Sequence, residues 1–106
     1  MSLAELKALM DTLNIESVYG YFPKEKKPPY IAYQAETAQS LHADGVVVLL
    51  IANVALTLVT AKRDMTAEKQ IADLLTANDV DFGEPDYEFD EEQKIHKATF
   101  YFQTID

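Results

Sequence analysis

The sequence predicts an α+β domain: an antiparallel-rich sheet of about four to five strands, two helices packed on one of its faces, and a long protruding strand or hairpin. Three observations carry that prediction. Two stretches, near residues 3–13 and 64–78, repeat apolar side chains at threes and fours, the period of a helix with one buried face. The stretches near 30–35, 46–61 and 84–105 are β-branched, aromatic or alternating, as pleated strands are. At 106 residues the chain has room for one core, and its 48% hydrophobic content is too high for a disordered segment.

The elements follow in order. Ser2-Leu3-Ala4-Glu5 has capping-box spacing, with a hydroxyl for the N3 amide and a carboxylate three residues on. Helix 1 is expected over about residues 3–13, with Leu3, Leu6, Leu9, Met10 and Leu13 on one stripe and Asn14 in a left-handed closing turn. Val18 to Phe22 reads as a short aromatic strand, Lys24 to Pro29 as a charged loop stiffened by two prolines, and Tyr30 to Ala35 as the next strand. Glu36 to Gly45 has neither period and reads as a long mobile loop.

Residues 45–61, GVVVLLIANVALTLVTA, contain no charge, but the run stops at Lys62-Arg63-Asp64, short of the about 20 residues a membrane span needs. Its β-branched side chains favour sheet over helix. Ala52-Asn53 lacks the glycine of a two-residue hairpin, so one long bent strand over about 46–61 is expected, bulged near Asn53. Val54, Leu56 and Leu58 are assigned to the core. Asp64 or Thr66 caps helix 2, which buries Ala67, Ile71, Leu74 and Leu75 and closes at Asn78. Glu84 to Asp90 is expected as a half-buried strand. Asp90 to Lys94 turns the chain into a last strand, Ile95 to Ile105, with Ala98, Phe100 and Phe102 on one face.

Charge and missing motifs narrow the function classes. The net charge is −9, and Asp79, Asp81, Glu84, Asp86, Glu88, Asp90, Glu91 and Glu92 fall in one stretch with no Lys or Arg. Such a surface repels phosphate backbones, which argues against sequence-specific nucleic-acid binding. The acidic stretch fails the EF-hand register, because Gly83 falls one place early and Asp90 stands where a bidentate Glu is required. There is no cysteine, which excludes disulfides, thiolate metal sites and cysteine nucleophiles and suits a reducing cytosol. No basic-then-apolar leader opens the chain, and no phosphate-cradling glycine motif exists among three glycines. His42, in the expected loop, and His96, in a strand near a turn, are the two imidazoles and are read as bystanders; His42-Ala43-Asp44 has no third ligand in view, and acid pairs drawn from Glu36, Asp44, Glu68 and Asp73 are what chance provides. No catalytic residue, metal site or cofactor is expected.

Four pieces stand in a recognisable order: PPYIAY (28–33), ADG (43–45), NVALTLVTAKRD (53–64) and AEKQIADLL (67–75). Together they resemble the small tail-completion, tail-terminator or head-to-tail joining proteins of long-tailed bacteriophages and of prophages in Gram-positive bacteria. The C-terminal aromatic hairpin is similar too. The resemblance implies a non-enzymatic virion part, present in the host cytoplasm during assembly and at the head-tail junction afterwards. It implies a homo-oligomer, commonly a hexameric ring, that meets connector and tail-tube proteins. Candidate interface residues are Tyr19, Tyr21, Tyr33, Val59 and Tyr101 on an uncovered sheet face, Tyr30 at a strand edge, Leu41, His42 and Asp44 in a loop ordered on assembly, and Val47 and Leu49 on the overlong strand. Asp86, Glu88 and Asp90 are candidates to line a lumen through which DNA passes. The alternative is a small acidic binding module, a regulator or inhibitor that presents residues 79–92 to a basic partner.

Overall fold

The computed structural model describes residues 1–20 and 27–105. Their order is α1 (Leu3–Met10), β1 (Ser17–Tyr19), β2 (Tyr30–Ala43), β3 (Val46–Thr60), α2 (Met65–Ala77), β4 (Asp86–Asp90) and β5 (Ile95–Ile105). The expected α+β class is what forms: a five-stranded sheet in the order β1-β2-β3-β5-β4, antiparallel except where β1 runs parallel to β2. The β4-β5 hairpin folds so that β5, with Ala98, Phe100 and Phe102, lies against β3, while the acidic β4 takes the edge. The apolar strand buries more side chain in the interior position than β4 could.

Both helices pack on one sheet face. Leu6 and Met10 of α1 and Ala67, Ile71 and Leu75 of α2 join Ile31, Tyr33, Val54, Leu56, Leu58, Phe100 and Phe102 in the main buried cluster. The chain between α2 and β4 adds Val80 and Phe82, the latter edge-on to Phe100 with centroids 5.6 Å apart. A smaller cluster, Tyr30, Ala32, Val59 and Ile95, is buried on the opposite face.

The helix ends differ from expectation in detail. Ser2 caps α1 by accepting the Glu5 amide at 3.1 Å, but its hydroxyl donates to the Glu5 carboxylate, so that acid is engaged by the cap itself. Helix α1 stops at Met10 instead of Leu13: Thr12 and Leu13 donate to Leu9 and Met10, the tighter three-residue spacing that winds down a helix, and Asn14 has no positive φ. Asp64 caps α2 by accepting the Ala67 amide at 3.0 Å. At the other end Asn78 is the cap, as expected, and the left-handed residue that follows it is Asp79 (φ 57°). Asp79 donates to Thr76 and Val80 to Leu75, the paired bonds of a Schellman turn, whose apolar clasp is Val80 on Leu75.

The largest correction concerns residues 36–45. They are not a mobile loop: Glu36 to Ala43 continue β2, paired with β3 out to Ala43↔Val46. Asp44 (φ 52°) and Gly45 (φ 78°) form the two-residue turn between them, with positive φ at both positions. The segment lacks a period because it is solvated on both faces, so nothing selects an alternating pattern. β3 is one long strand, as expected. The irregularities both lie on the arm side of Asn53: one is on β2 between Thr37 and Gln39, opposite Ala52-Ile51, and the other brings an extra residue, Val48, into β3 opposite Leu41-His42. β4 is exposed nearly throughout instead of half-buried, since the edge lies beyond the cover of the helices.

Candidate functional site

The β2-β3 ribbon outruns the rest of the sheet. Among the described residues β5 pairs with β3 from Ile51 inward, so Val46 to Leu50 and their β2 partners Ser40 to Ala43 project as an arm. Fifteen residues of β3 span about 50 Å at strand rise, which accounts for the 51 Å long axis against 28 and 23 Å across. The radius of gyration, 14.8 Å, exceeds the roughly 13 Å of a compact chain this long.

The arm is apolar where it meets solvent. Val46, Val47 and Val48 are 62%, 51% and 59% exposed and Leu41 is 46% exposed, with Leu49 opposite Leu41 in register. At the arm's base Ile51 faces Ile105 across the strands, and Ile105 is itself half exposed. From Thr37 to Asn53 the chain has one acidic residue, Asp44 in the turn, and no Lys or Arg. His42 lies on the arm with its Nε2 3.1 Å from the Ser40 hydroxyl.

The sheet face away from the helices is polar near the arm. Gln103 donates to Asn53 at 3.1 Å, and the Thr57 and Thr99 hydroxyls are bonded across β3 and β5 at 2.9 Å. Tyr101 is 55% exposed there. A shallow depression of ≈ 540 Å³ lies between Gln34, Glu36, Asn53, Tyr101 and Gln103.

The candidate residues therefore separate. Leu41, His42, Asp44, Val47 and Leu49 come together on the arm, and Tyr101 is exposed on the uncovered face. Tyr33 is not on that face: it is buried beneath the helices, with Tyr19 edge-on to it at 5.2 Å. Burial also pushes the Tyr33 phenol above its ordinary value, and Lys7, whose ammonium bridges Asp11 at 3.0 Å and Ser17 at 2.8 Å, pulls the other way. Tyr30 and Val59 lie on the face without helices but are buried in the smaller cluster, so neither is available to a partner. Tyr19 is exposed at the β1 edge, and Tyr21 lies outside the described residues.

Of the acids, Asp86 and Glu88 are exposed on β4, Glu88 in register with Lys97. Asp90 is a structural turn residue. One of its oxygens accepts the amides of Glu92 and Gln93 at 3.0 and 3.1 Å, and the other lies 3.8 Å from the Lys97 ammonium.

One arrangement has no counterpart in the sequence reading. Tyr87 and Phe89 flank His96, the Tyr87 hydroxyl is bonded to His96 Nδ1, and the Arg63 guanidinium sits 4.1 Å above the Tyr87 ring. The alternation of acid and aromatic in β4 was its signal, since it sends both rings to one side. These contacts brace the β4 edge against the end of β3.

Among the described residues no three His, Asp or Glu side chains are placed to hold a metal ion, and no helix is long and apolar enough to cross a membrane. Compared with protein-family models and with curated proteins, the chain matches none.

Proposed function

We propose that this protein is a non-enzymatic structural part of a long-tailed phage or prophage, acting in head-to-tail joining or tail completion as a ring of identical subunits at the head-proximal end of the tail. The observation that carries this reading is the projecting arm, an apolar β-ribbon that contributes nothing to either buried cluster. Exposed apolar surface of this kind marks association. A ring requires a contact between two different patches of the same subunit, and an arm attached to a separately folded body supplies one patch remote from the other. In this reading Asp86 and Glu88 face the lumen, where their charge keeps passing DNA from adhering.

The test mixes the purified protein with tails that lack their completion protein and with DNA-filled heads, and counts joined particles by electron microscopy. A ring of added density at the tail's head-proximal end, with joining restored, is the expected result. Absence of both overturns the reading. Reversing the charge of Asp86 and Glu88 is expected to retain joining and slow DNA passage; unchanged passage removes the lumen assignment.

The exposed acids of β4 and of the turn after it favour one competing reading, a small acidic module that docks on a basic protein. That module would bind its partner through residues 79–92 and would be indifferent to changes in the arm.

A further inference from the structure

We infer that the two open backbone edges of the arm pair between copies of this chain, Val46 to Leu50 of one subunit adding as a strand beside Gln39 to Ala43 of the next. This extends the proposed joining role by naming the contact between subunits, and its test needs neither tails nor heads, so the two ideas fail separately.

Among the described residues Val46 to Leu50 are paired only with β2, because β5 first reaches β3 at Ile51. Gln39 to Ala43 are likewise paired only with β3 among the described residues. Each strand therefore presents an unpaired row of N–H and C=O groups, the template onto which another strand adds.

The chain protects its other edges and leaves these bare. β4 carries Asp86, Glu88 and Asp90 along its length, and β1 is three residues long. Charge and shortness are the usual ways of preventing edge-to-edge pairing. Neither Gln39 to Ala43 nor Val46 to Leu50 contains a Pro, Lys, Arg, Asp or Glu, and the second is wholly β-branched and leucine.

A second copy is the occupant that fits. Both open edges lie on one ribbon, so a neighbour displaced sideways satisfies the outer edge of β3 with its own β2, and the next neighbour repeats the step. A symmetric pair would join β3 to β3 and leave every β2 edge unpaired. A five-residue strand is about 17 Å long, and one such contact buries less than the roughly 800 Å² per partner of stable complexes. Using both edges gives each subunit two contacts. Charge agrees: copies of a chain with net charge −9 repel one another, and the arm, with Asp44 as its one charge, is where they approach at least cost.

The experiment uses the full chain, with sedimentation and amide hydrogen exchange followed over a range of protein concentration at low and high salt. Association is expected to grow with concentration and to strengthen with salt, because screening weakens repulsion between like-charged subunits. Amides in both Gln39–Ala43 and Val46–Leu50 are expected to slow by about tenfold or more as oligomers form. Val47→Glu, at an exposed position, is expected to abolish both effects and retain the fold, whereas Gln70→Glu on the exposed side of α2 leaves both in place. Arm amides that exchange equally fast at every concentration overturn the inference. So does protection confined to Val46–Leu50, the mark of a symmetric pair, and so does association that weakens with salt, the mark of an ionic contact elsewhere.

Discussion

Thr104, near the end of β5, lies on the helix-covered face, fully buried, and among the described residues its hydroxyl has no hydrogen-bond partner. A buried hydroxyl without a partner loses its hydration and gains nothing in exchange. Thr104→Val, which keeps the shape and removes the oxygen, is therefore expected to raise stability by about 1 kcal/mol, read as a higher urea midpoint with an unchanged slope. A neutral or lower midpoint would show that the hydroxyl is satisfied. The tyrosines make the opposite point about legibility. Tyr19, Tyr30, Tyr33 and Tyr101 are alike in sequence, yet two are buried and two are exposed. Parity along a strand says which of two faces a side chain takes, but not which face the helices cover, nor what else folds over the other.

Helix α2 shows how much of an element is written locally. Its start at Asp64 and its stripe of Ala67, Ile71 and Leu75 follow from residue type and spacing, and the structure has both. Asp64→Ala is expected to cost about 1 kcal/mol, because the Ala67 amide loses its acceptor; thermal or urea unfolding measures it, and no loss would mean that water replaces the carboxylate. Asn78 closes the helix as expected, and of the two adjacent residues that tolerate the left-handed turn it is Asp79 that takes it. The apolar contact of Val80 on Leu75 decides for Asp79, and that is a packing event beyond the helix itself. The β2 half of the arm is illegible in the sequence for a related reason. Asp44-Gly45 is a strong hairpin signal, but it joins a strand with a pattern to one without. Glu36 to Ala43 take their conformation from hydrogen bonds to β3 and not from any burial of their own.

At the scale of the whole molecule the body and the arm are energetically separate. No residue from 36 to 53 belongs to either buried cluster. Gln39 faces Ile51, so joining them through Asn-Gly would close a short hairpin and remove the arm while keeping Ile51 against β5. This shortened chain is expected to unfold within about 1 kcal/mol of the full one, with self-association and tail joining lost. A large loss of stability would mean that the arm is part of the fold; intact joining would mean that assembly runs through the body.

By itself the sequence determined the α+β class, both helices, the long β3 and the apolar faces of β3 and β5, because each of these is set by periodicity within a segment. It also set the net charge of −9. Only the tertiary structure decided that β5 lies inside and β4 at the edge, that Tyr30, Tyr33 and Val59 are interior, and that a polar stretch becomes half of a projecting ribbon. Those outcomes depend on which strand finds which neighbour, and a strand's partner is chosen by hydrogen bonds and packing between segments far apart in the chain.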